Sequence, residues 1–565
     1  MDGADGAVDG ADALPRQRLC LRRRRHATGV VAVTGVAAVV LFLTYVRVSS
    51  TQPVNTDDAN TMMMAWAMLH GNVLLHGWWM SDVSFYTTEL PQYALLEGML
   101  GLHPHTAHVA AAMTYTLVVV LAVLLATGPW RPGAGRRAAV CAVIAAAILI
   151  GPQSGTGVDV LLLFIGHIGT SVPLMAILLL LDRAGPRWQV PVLAGLGLSW
   201  VMVADKAVLL TAVGPLILVC GSQVALAVWT ARPPSAAALR ACLRTCWYPA
   251  SLAVAAVVAT GLTWIADRVI RALGGYDLQP LRFALTPPRQ YLSSIVTTWR
   301  DLLWLFGASY HRQSGTALLI AACHLAAVIL VVAAVGRVTA LWIRGLLPGG
   351  RGREPVPLVD QVLAAAFIAS LTAFTFDHAL GKGLQDVTIV VPFGAVLAAR
   401  QFASVIFGPA GSWSRWHKRA RVAACATGCA LAASYLAGLA LTAGQPVARP
   451  ADTALASWLS AHGLHHGLAG YWQSTVVTLV SSGEVTLRPV TSGLRERRWM
   501  TDSAWYSRSA PAADFITLGG DGLAASSRTL WLIRRQFGTP VYVATFGPYT
   551  VLVYHHNLLP ELARV

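Results

Sequence analysis

The sequence predicts a polytopic α-helical membrane protein with about eleven transmembrane helices, followed by a small C-terminal α/β domain outside the cytoplasm. Three observations predict it. First, 55% of the 565 residues are hydrophobic and only 12% are charged, with a mean hydropathy of +0.58. A water-soluble chain of this length needs far more polar surface, so its solvent is lipid. Second, apolar residues gather into runs of about twenty, the length that crosses a bilayer at ~1.5 Å rise per residue. Third, the chain changes character after Pro450, where long apolar runs give way to short mixed ones.

Taken in order, residues 1–26 form a basic cytoplasmic tail containing Arg22-Arg23-Arg24-Arg25. The run that follows, 27–48, is longer than the apolar core of a signal peptide and lacks a convincing small-residue cleavage pattern, so it reads as an uncleaved first helix. Further runs lie near 107–127, 137–152, 160–181, 190–204, 207–229, 246–268, 315–335, 357–376, 387–404 and 421–442. The short runs at 137–152 and 190–204 are the least typical of spans. The transmembrane domain is thus 27–442, with long external loops at 49–106 and 269–314.

The formal charge of +16 is almost all arginine, as in GC-rich bacterial coding; Lys206, Lys382 and Lys418 are the only lysines. In a soluble chain it would suggest a nucleic-acid partner, but here it sits in short loops between spans, and no nucleic acid is expected. Arg131, Arg136 and Arg137, Arg183 and Arg187, Arg240 and Arg244, Arg337 and Arg344, and Arg415 and Lys418 occupy alternate loops, whereas residues 49–106 contain no Lys or Arg. The positive-inside bias then makes the N-terminus cytoplasmic and the domain at 443–565 extracytoplasmic, in a multi-pass plasma-membrane protein.

The first external loop is rich in Trp, Tyr, His and Met, and Asp57 to Gly71 has helical spacing, which predicts a helix along the membrane surface. The second carries Arg271, Arg282, Arg289, Arg300 and Arg312 against the orientation bias, and charge retained there suggests use. In the tail, a helix is expected at Ala451 to His462 and another at Ser527–Phe537. Strands are expected at Thr475–Val480, Val485–Val490, Asp514–Leu518, Pro540–Phe546 and Tyr549–Tyr554. The eight cysteines lie in apolar runs or basic loops, and the Cys242/Cys246 and Cys425/Cys429 pairs lack companion ligands, so neither a disulfide framework nor a zinc site is read.

Candidate chemistry begins directly after the first helix, at Asn55-Thr56-Asp57-Asp58-Ala59-Asn60. Adjacent carboxylates at the outer membrane edge are costly unless they are used or solvated. The competing reading is a helix N-cap, in which one aspartate satisfies free amides and suits the helix dipole.

This stretch and the topology around it resemble the GT-C superfamily of polytopic membrane glycosyltransferases, which includes the protein O-mannosyltransferases and the lipid A aminoarabinose transferases. In those enzymes a first helix leads into an external loop that opens with an acidic motif, followed by an amphipathic helix ending in glycine. The matching residues are Thr56-Asp57-Asp58-Ala59-Asn60, then Met62 through Leu69, His70 and Gly71. The resemblance covers the topology of most of the chain, and its residue-level match is confined to this stretch.

The resemblance implies that one of the pair, with Asp58 slightly favoured over Asp57, is the general base for an acceptor hydroxyl while a sugar is displaced, with inversion, from a polyprenyl phosphate. Such a donor requires cations at the outer interface to hold the leaving phosphate. Lys206 in Ala204-Asp205-Lys206, Arg282, Arg289, and Lys382 beside His378 are the candidates; snorkelling or a local Asp205–Lys206 pair is the alternative. Asp159, in Gly155-Thr156-Gly157-Val158-Asp159, is a candidate second acid that positions substrate, or else a cap, while His167 reads as a satisfied core histidine. No metal site is assigned, although a divalent metal is left open. Where relatives often carry an Arg-Tyr pair before a late helix, this chain has Leu384-Gln385-Asp386-Val387-Thr388, which weakens any subfamily assignment. In the tail, Gly470-Tyr471-Trp472-Gln473 and Trp505-Tyr506 are either core or platforms for sugar rings. The expected partners are the bilayer, a lipid-linked sugar donor and a glycan or protein acceptor of the cell envelope. A transporter and a non-catalytic envelope-assembly protein are the alternatives; the large external domain and the absence of evident helical repeats stand against the former.

Overall fold

The computed structural model describes residues 32–129, 134–152, 156–163, 166–231, 235–280, 284–310, 315–347, 356–377, 383–407, 415–450 and 452–562. Every apolar run contains a helix. Among the described residues nine are long and apolar enough to cross a membrane: Ala32–Ser49 (α1), Pro104–Thr127, His167–Ala184, Leu209–Ala231, Trp247–Ala272, Gly315–Leu346, Leu358–Phe376, Leu384–Ile406 and Cys425–Ala443. The runs at 137–152 and 190–204 give Gly135–Leu149 and Gln189–Ala204, of 15 and 16 residues. At ~1.5 Å per residue these fall short of a hydrocarbon core of ~30 Å. They pack among the full spans: Gly195 lets the second approach Trp247–Ala272, since a Cβ there would lie 3.1 Å from the Ala255 carbonyl oxygen.

Large apolar side chains face outward around the bundle, among them Val36, Leu193, Val254, Leu319 and Ile329. In a soluble fold this shell would be an aggregation hazard; in lipid it is the ordinary surface. At one end the helix termini converge on Arg400. Its guanidinium reaches Asp360 at 2.5 Å, Asp182 at 2.7 Å and the Leu125 carbonyl at 2.5 Å. Nothing local in the sequence marks this buried ion triad, because its three members lie on three different helices.

The other end carries the long loops and the tail. Thr56–Leu69 (α2) forms as the spacing predicts, but it does not lie free along the membrane surface. Glu89–Leu100 (α3) and the tail helix Tyr471–Val480 cover it, burying Thr56, Asp58, Ala59, Asn60, Met62 and Met64. Between α2 and α3, Trp78–Trp79 (β1) runs antiparallel to Thr501–Asp502 of the tail.

The tail is a mixed five-stranded sheet built from His466–Gly470 (β2), Thr486–Val490 (β3), Phe515–Gly519 (β5), Tyr542–Phe546 (β6) and Tyr549–Val553 (β7), with Thr501–Asp502 as β4 outside it. The order is β3-β2-β5-β7-β6, with β3, β2 and β5 parallel and β7 and β6 antiparallel. The expected helices form as Thr453–Ala461 and Ser527–Phe537. One expectation fails: Thr475–Val480 is not a strand but the second half of Tyr471–Val480. Because β2 and β3 are parallel, the chain between them must cross over the sheet, which a helix does. The helix propensity lost to Val and Thr, a few tenths of a kcal/mol each, is small beside the burial gained.

Candidate active site

The acidic pair sits in the first turn of α2. Asn55 is the N-cap: its side chain accepts from the Asp58 amide at 3.0 Å, and Asp58 in return accepts from the Asn55 amide at 3.4 Å. This reciprocal box is one reason the helix starts here. Asp58 is fully buried, whereas Asp57 is partly exposed. The Tyr471 hydroxyl of the tail donates to Asp57 Oδ1, and the Asn60 amide donates to the same Tyr471 oxygen at 3.1 Å. The Arg497 guanidinium stands 5.3 Å from the Tyr471 ring centre. Burial raises the Asp57 carboxyl, while the Tyr471 hydrogen bond and the Arg497 charge pull it back down. Burial and the Asp57 charge hold the Tyr471 phenol well above its ordinary range, so it remains a donor at neutral pH.

A second polar cluster lies in the same layer. His167 Nδ1 is 2.6 Å from Asp205 Oδ2, which also accepts from Thr170 at 2.8 Å, while Asp205 Oδ1 accepts from the Ala207 amide at 2.8 Å. Asp386, in the segment that departs from the relatives' pattern, brings Oδ1 to 3.8 Å from His167 Nε2. His167 is therefore satisfied by acids, a polar arrangement rather than an apolar core position. Glu89, at the start of α3, is buried and pushed up to about 7, chiefly by desolvation, with the Thr88 hydroxyl opposing and Asp205 adding to the rise. One of its oxygens has no hydrogen-bond partner among the described residues. It presses on Gly169, where a Cβ would lie 1.9 Å from Glu89 Oε1, so any larger residue there would have to displace the Glu89 side chain. Tyr93 of α3 links the two clusters: its hydroxyl feels the charges of Asp58, Glu89 and Glu97. Glu97 is pushed up to about 9 by burial.

The other sequence candidates are spread around this end. Asp159 opens a short π-turn, Asp159–Leu163, that packs beside the Leu384–Val387 turn carrying Asp386; burial raises its carboxyl. Lys206 pairs with Asp267 at 2.6 Å rather than with Asp205, and also donates to the Met202 carbonyl at 3.1 Å. Arg289 is exposed on the Pro288–Gln290 turn. Arg282, His378 and Lys382 lie outside the described residues. Among the described residues no group of three or more His, Cys, Asp or Glu side chains is arranged to hold a metal.

The long loop after Trp247–Ala272 ties these parts together. The Asp277 amide donates to the Trp78 carbonyl at 2.9 Å, and the Thr286 amide to the Phe376 carbonyl at 2.8 Å. Beyond Arg289 the helix Tyr291–Leu305 forms one wall of an open apolar groove of about 440 Å³, lined by Ile295, Trp299, Leu302, Val335, Phe367 and Phe376. Tyr471, Arg497, Glu89 and Asp386 were missed as site residues by sequence reasoning. Tyr471 stands out in the sequence only as part of an aromatic cluster that is either core or sugar platform, and the structure turns it inward, leaving its neighbour Trp472 exposed.

No protein-family model matches the chain, and no curated protein matches it. Among solved structures the chain is similar in fold to ArnT from Cupriavidus metallidurans. The form bound to undecaprenyl phosphate matches with a TM-score of 0.51 at 12% identity, covering 93% of this chain and 98% of that one. The apo form matches with a TM-score of 0.50 at 12% identity, covering 95% and 99%. The fold is thus like that of ArnT over nearly its whole length.

Proposed function

We propose that the chain is a membrane glycosyltransferase that moves a sugar from a polyprenyl-phosphate donor to an envelope acceptor on the extracytoplasmic side. The observation that carries this reading is the Asp57–Asp58 pair, held at the head of α2 beneath the tail, in a fold like that of a protein that binds undecaprenyl phosphate. A carboxylate so placed suits an acceptor hydroxyl. The acceptor oxygen attacks the anomeric carbon, its proton passes to the carboxylate, and the carbon–oxygen bond to phosphate breaks with its electron pair leaving on polyprenyl phosphate. Attack from the face opposite the phosphate inverts the anomeric centre. The isoprenoid chain is assigned to the apolar groove, whose aliphatic and aromatic lining suits a hydrocarbon. Arg289, just before the helix that walls it, is then a candidate cation for the phosphate, with Arg282, His378 and Lys382 as further candidates and Asp159 as a substrate-positioning acid. Lys206, already paired with Asp267, is better suited to fixing the turn beside Asp205.

The test is a release assay. Purified wild-type protein in liposomes made with the source cell's polar lipids should liberate free polyprenyl phosphate, read by mass spectrometry, when envelope acceptor is added. Liposomes that liberate none above the protein-free control would contradict the reading.

A further inference from the structure

The tail reaches the acidic pair with one side chain. Tyr471 is the first residue of its helix, directly after β2, and its position follows from the crossover between β2 and β3. The docking of the tail is not a single contact. β1 pairs with β4, the Ser503 amide donates to the Gly77 carbonyl at 2.9 Å, Gln279 Nε2 donates to the Arg498 carbonyl at 3.1 Å, and Trp78 meets Trp505 edge-on at 5.5 Å. Val476, Leu479 and Met500 share one apolar cluster with Met62, Met64 and Ala65 of α2. The phenol is therefore held by the whole interface, and two further groups fix its direction: Asn60 donates to its oxygen, so its own proton is free to go to Asp57. A tyrosine held this way sets the rotamer of the carboxylate it serves.

We propose that Tyr471 is the positioning residue for Asp57, so that the active site is completed across the junction between the transmembrane domain and the tail, and that Asp57 rather than Asp58 takes the acceptor proton. This rests on the glycosyltransferase reading above. The two aspartates divide the work by their partners. Asp58 is buried and turned back on the Asn55 amide, so it begins the helix. Asp57 is partly exposed, with one oxygen engaged by Tyr471. The groups that face Asp57 are Tyr471 and Arg497 from the tail, with Asp58 beside it on α2; the acids of α3 face Tyr93 instead. Both tail groups favour the ionised carboxylate, which is the form a base must have.

The experiment is the pH profile of polyprenyl phosphate release by the full-length protein in the liposomes described above. In Tyr471→Phe the lost hydrogen bond to a charged acceptor moves the acid limb of the profile up by about one pH unit or more, with a lower rate at neutral pH. Arg497→Gln moves the same limb in the same direction by less, and Arg497→Lys restores it. A merely structural tyrosine would lower the yield of folded protein and leave the limb in place. Folded Tyr471→Phe with a wild-type limb overturns the proposal; if that variant does not fold, an unmoved limb in Arg497→Gln overturns it equally. Absence of release by the wild type is a different failure, that of the glycosyltransferase reading itself.

Discussion

At the scale of single residues, the division of labour between the two aspartates is open to a direct contrast. Asn keeps the shape and the accepting oxygen of Asp but cannot take a proton. Asp58→Asn is expected to cost about 0.5–1 kcal/mol of stability through a weaker cap and dipole interaction, with transfer retained. Asp57→Asn is expected to leave thermal stability near wild type and to reduce transfer by roughly a hundredfold to ten-thousandfold. Rates and melting temperatures of the two variants, measured side by side, check both halves; equal rates would remove Asp57 from the mechanism. Glu89 carries its own prediction. Its carboxyl is pushed up to about 7 in the folded chain, above the ordinary glutamate value of 4.5, so the unfolded chain gives up this proton first as pH rises. The fold therefore loses on the order of 3 kcal/mol between roughly pH 4.5 and 7 and nothing more above that. Glu89→Gln removes the loss, so its thermal stability should exceed that of wild type at pH 8 by more than at pH 5. A pH-independent difference would mean that Glu89 is not a buried, neutral acid.

At the scale of elements, close approach fixes how the helices meet. Gly169→Ala drives a methyl into Glu89 and should destabilise by about 1–3 kcal/mol, and shortening the carboxylate with Glu89→Ala in the same chain should recover part of that. Thermal unfolding of both variants in detergent reads it. The elements were largely legible in the sequence, because a bilayer imposes length and apolarity on every span and the apolar runs state both. The tail strands β3, β5, β6 and β7 and the two outer helices were legible for the same kind of reason, each having its own local period. The crossover helix Tyr471–Val480 was not: Thr475-Val476-Val477-Thr478 favours a strand locally, and only the parallel pairing of β2 with β3, contacts distant in sequence, makes it helical. The site was legible in the same proportion. Asp57 and Asp58 announce themselves by adjacency at a membrane edge. Tyr471 lies over four hundred residues away, and nothing local marks its hydroxyl as their partner.

At the scale of the whole molecule, two clusters of charge mark the two ends of the bundle. Arg400, Asp360 and Asp182 hold four helix termini at one end; Asp57, Glu89, His167, Asp205 and Asp386 gather at the other. Residues that the arginine-rich loops assign to the cytoplasmic side thus meet one another, as do those assigned outside, which is what an alternating path through the membrane requires. Arg400→Leu would leave two buried carboxylates uncompensated and should destabilise by about 3–5 kcal/mol without altering the acid limb of transfer. Thermal unfolding in detergent, taken with the pH profile, tests that separation of stability from chemistry. The central claim is that this membrane protein transfers a lipid-linked sugar by way of Asp57. Its most direct test is glycan analysis of the cell envelope from a deletion strain complemented with wild type, Asp57→Asn or Asp58→Asn, each at matched protein level. The account predicts that one sugar decoration disappears on deletion and returns with wild type and with Asp58→Asn but not with Asp57→Asn; an unchanged envelope glycan profile on deletion, or full restoration by Asp57→Asn, would contradict it.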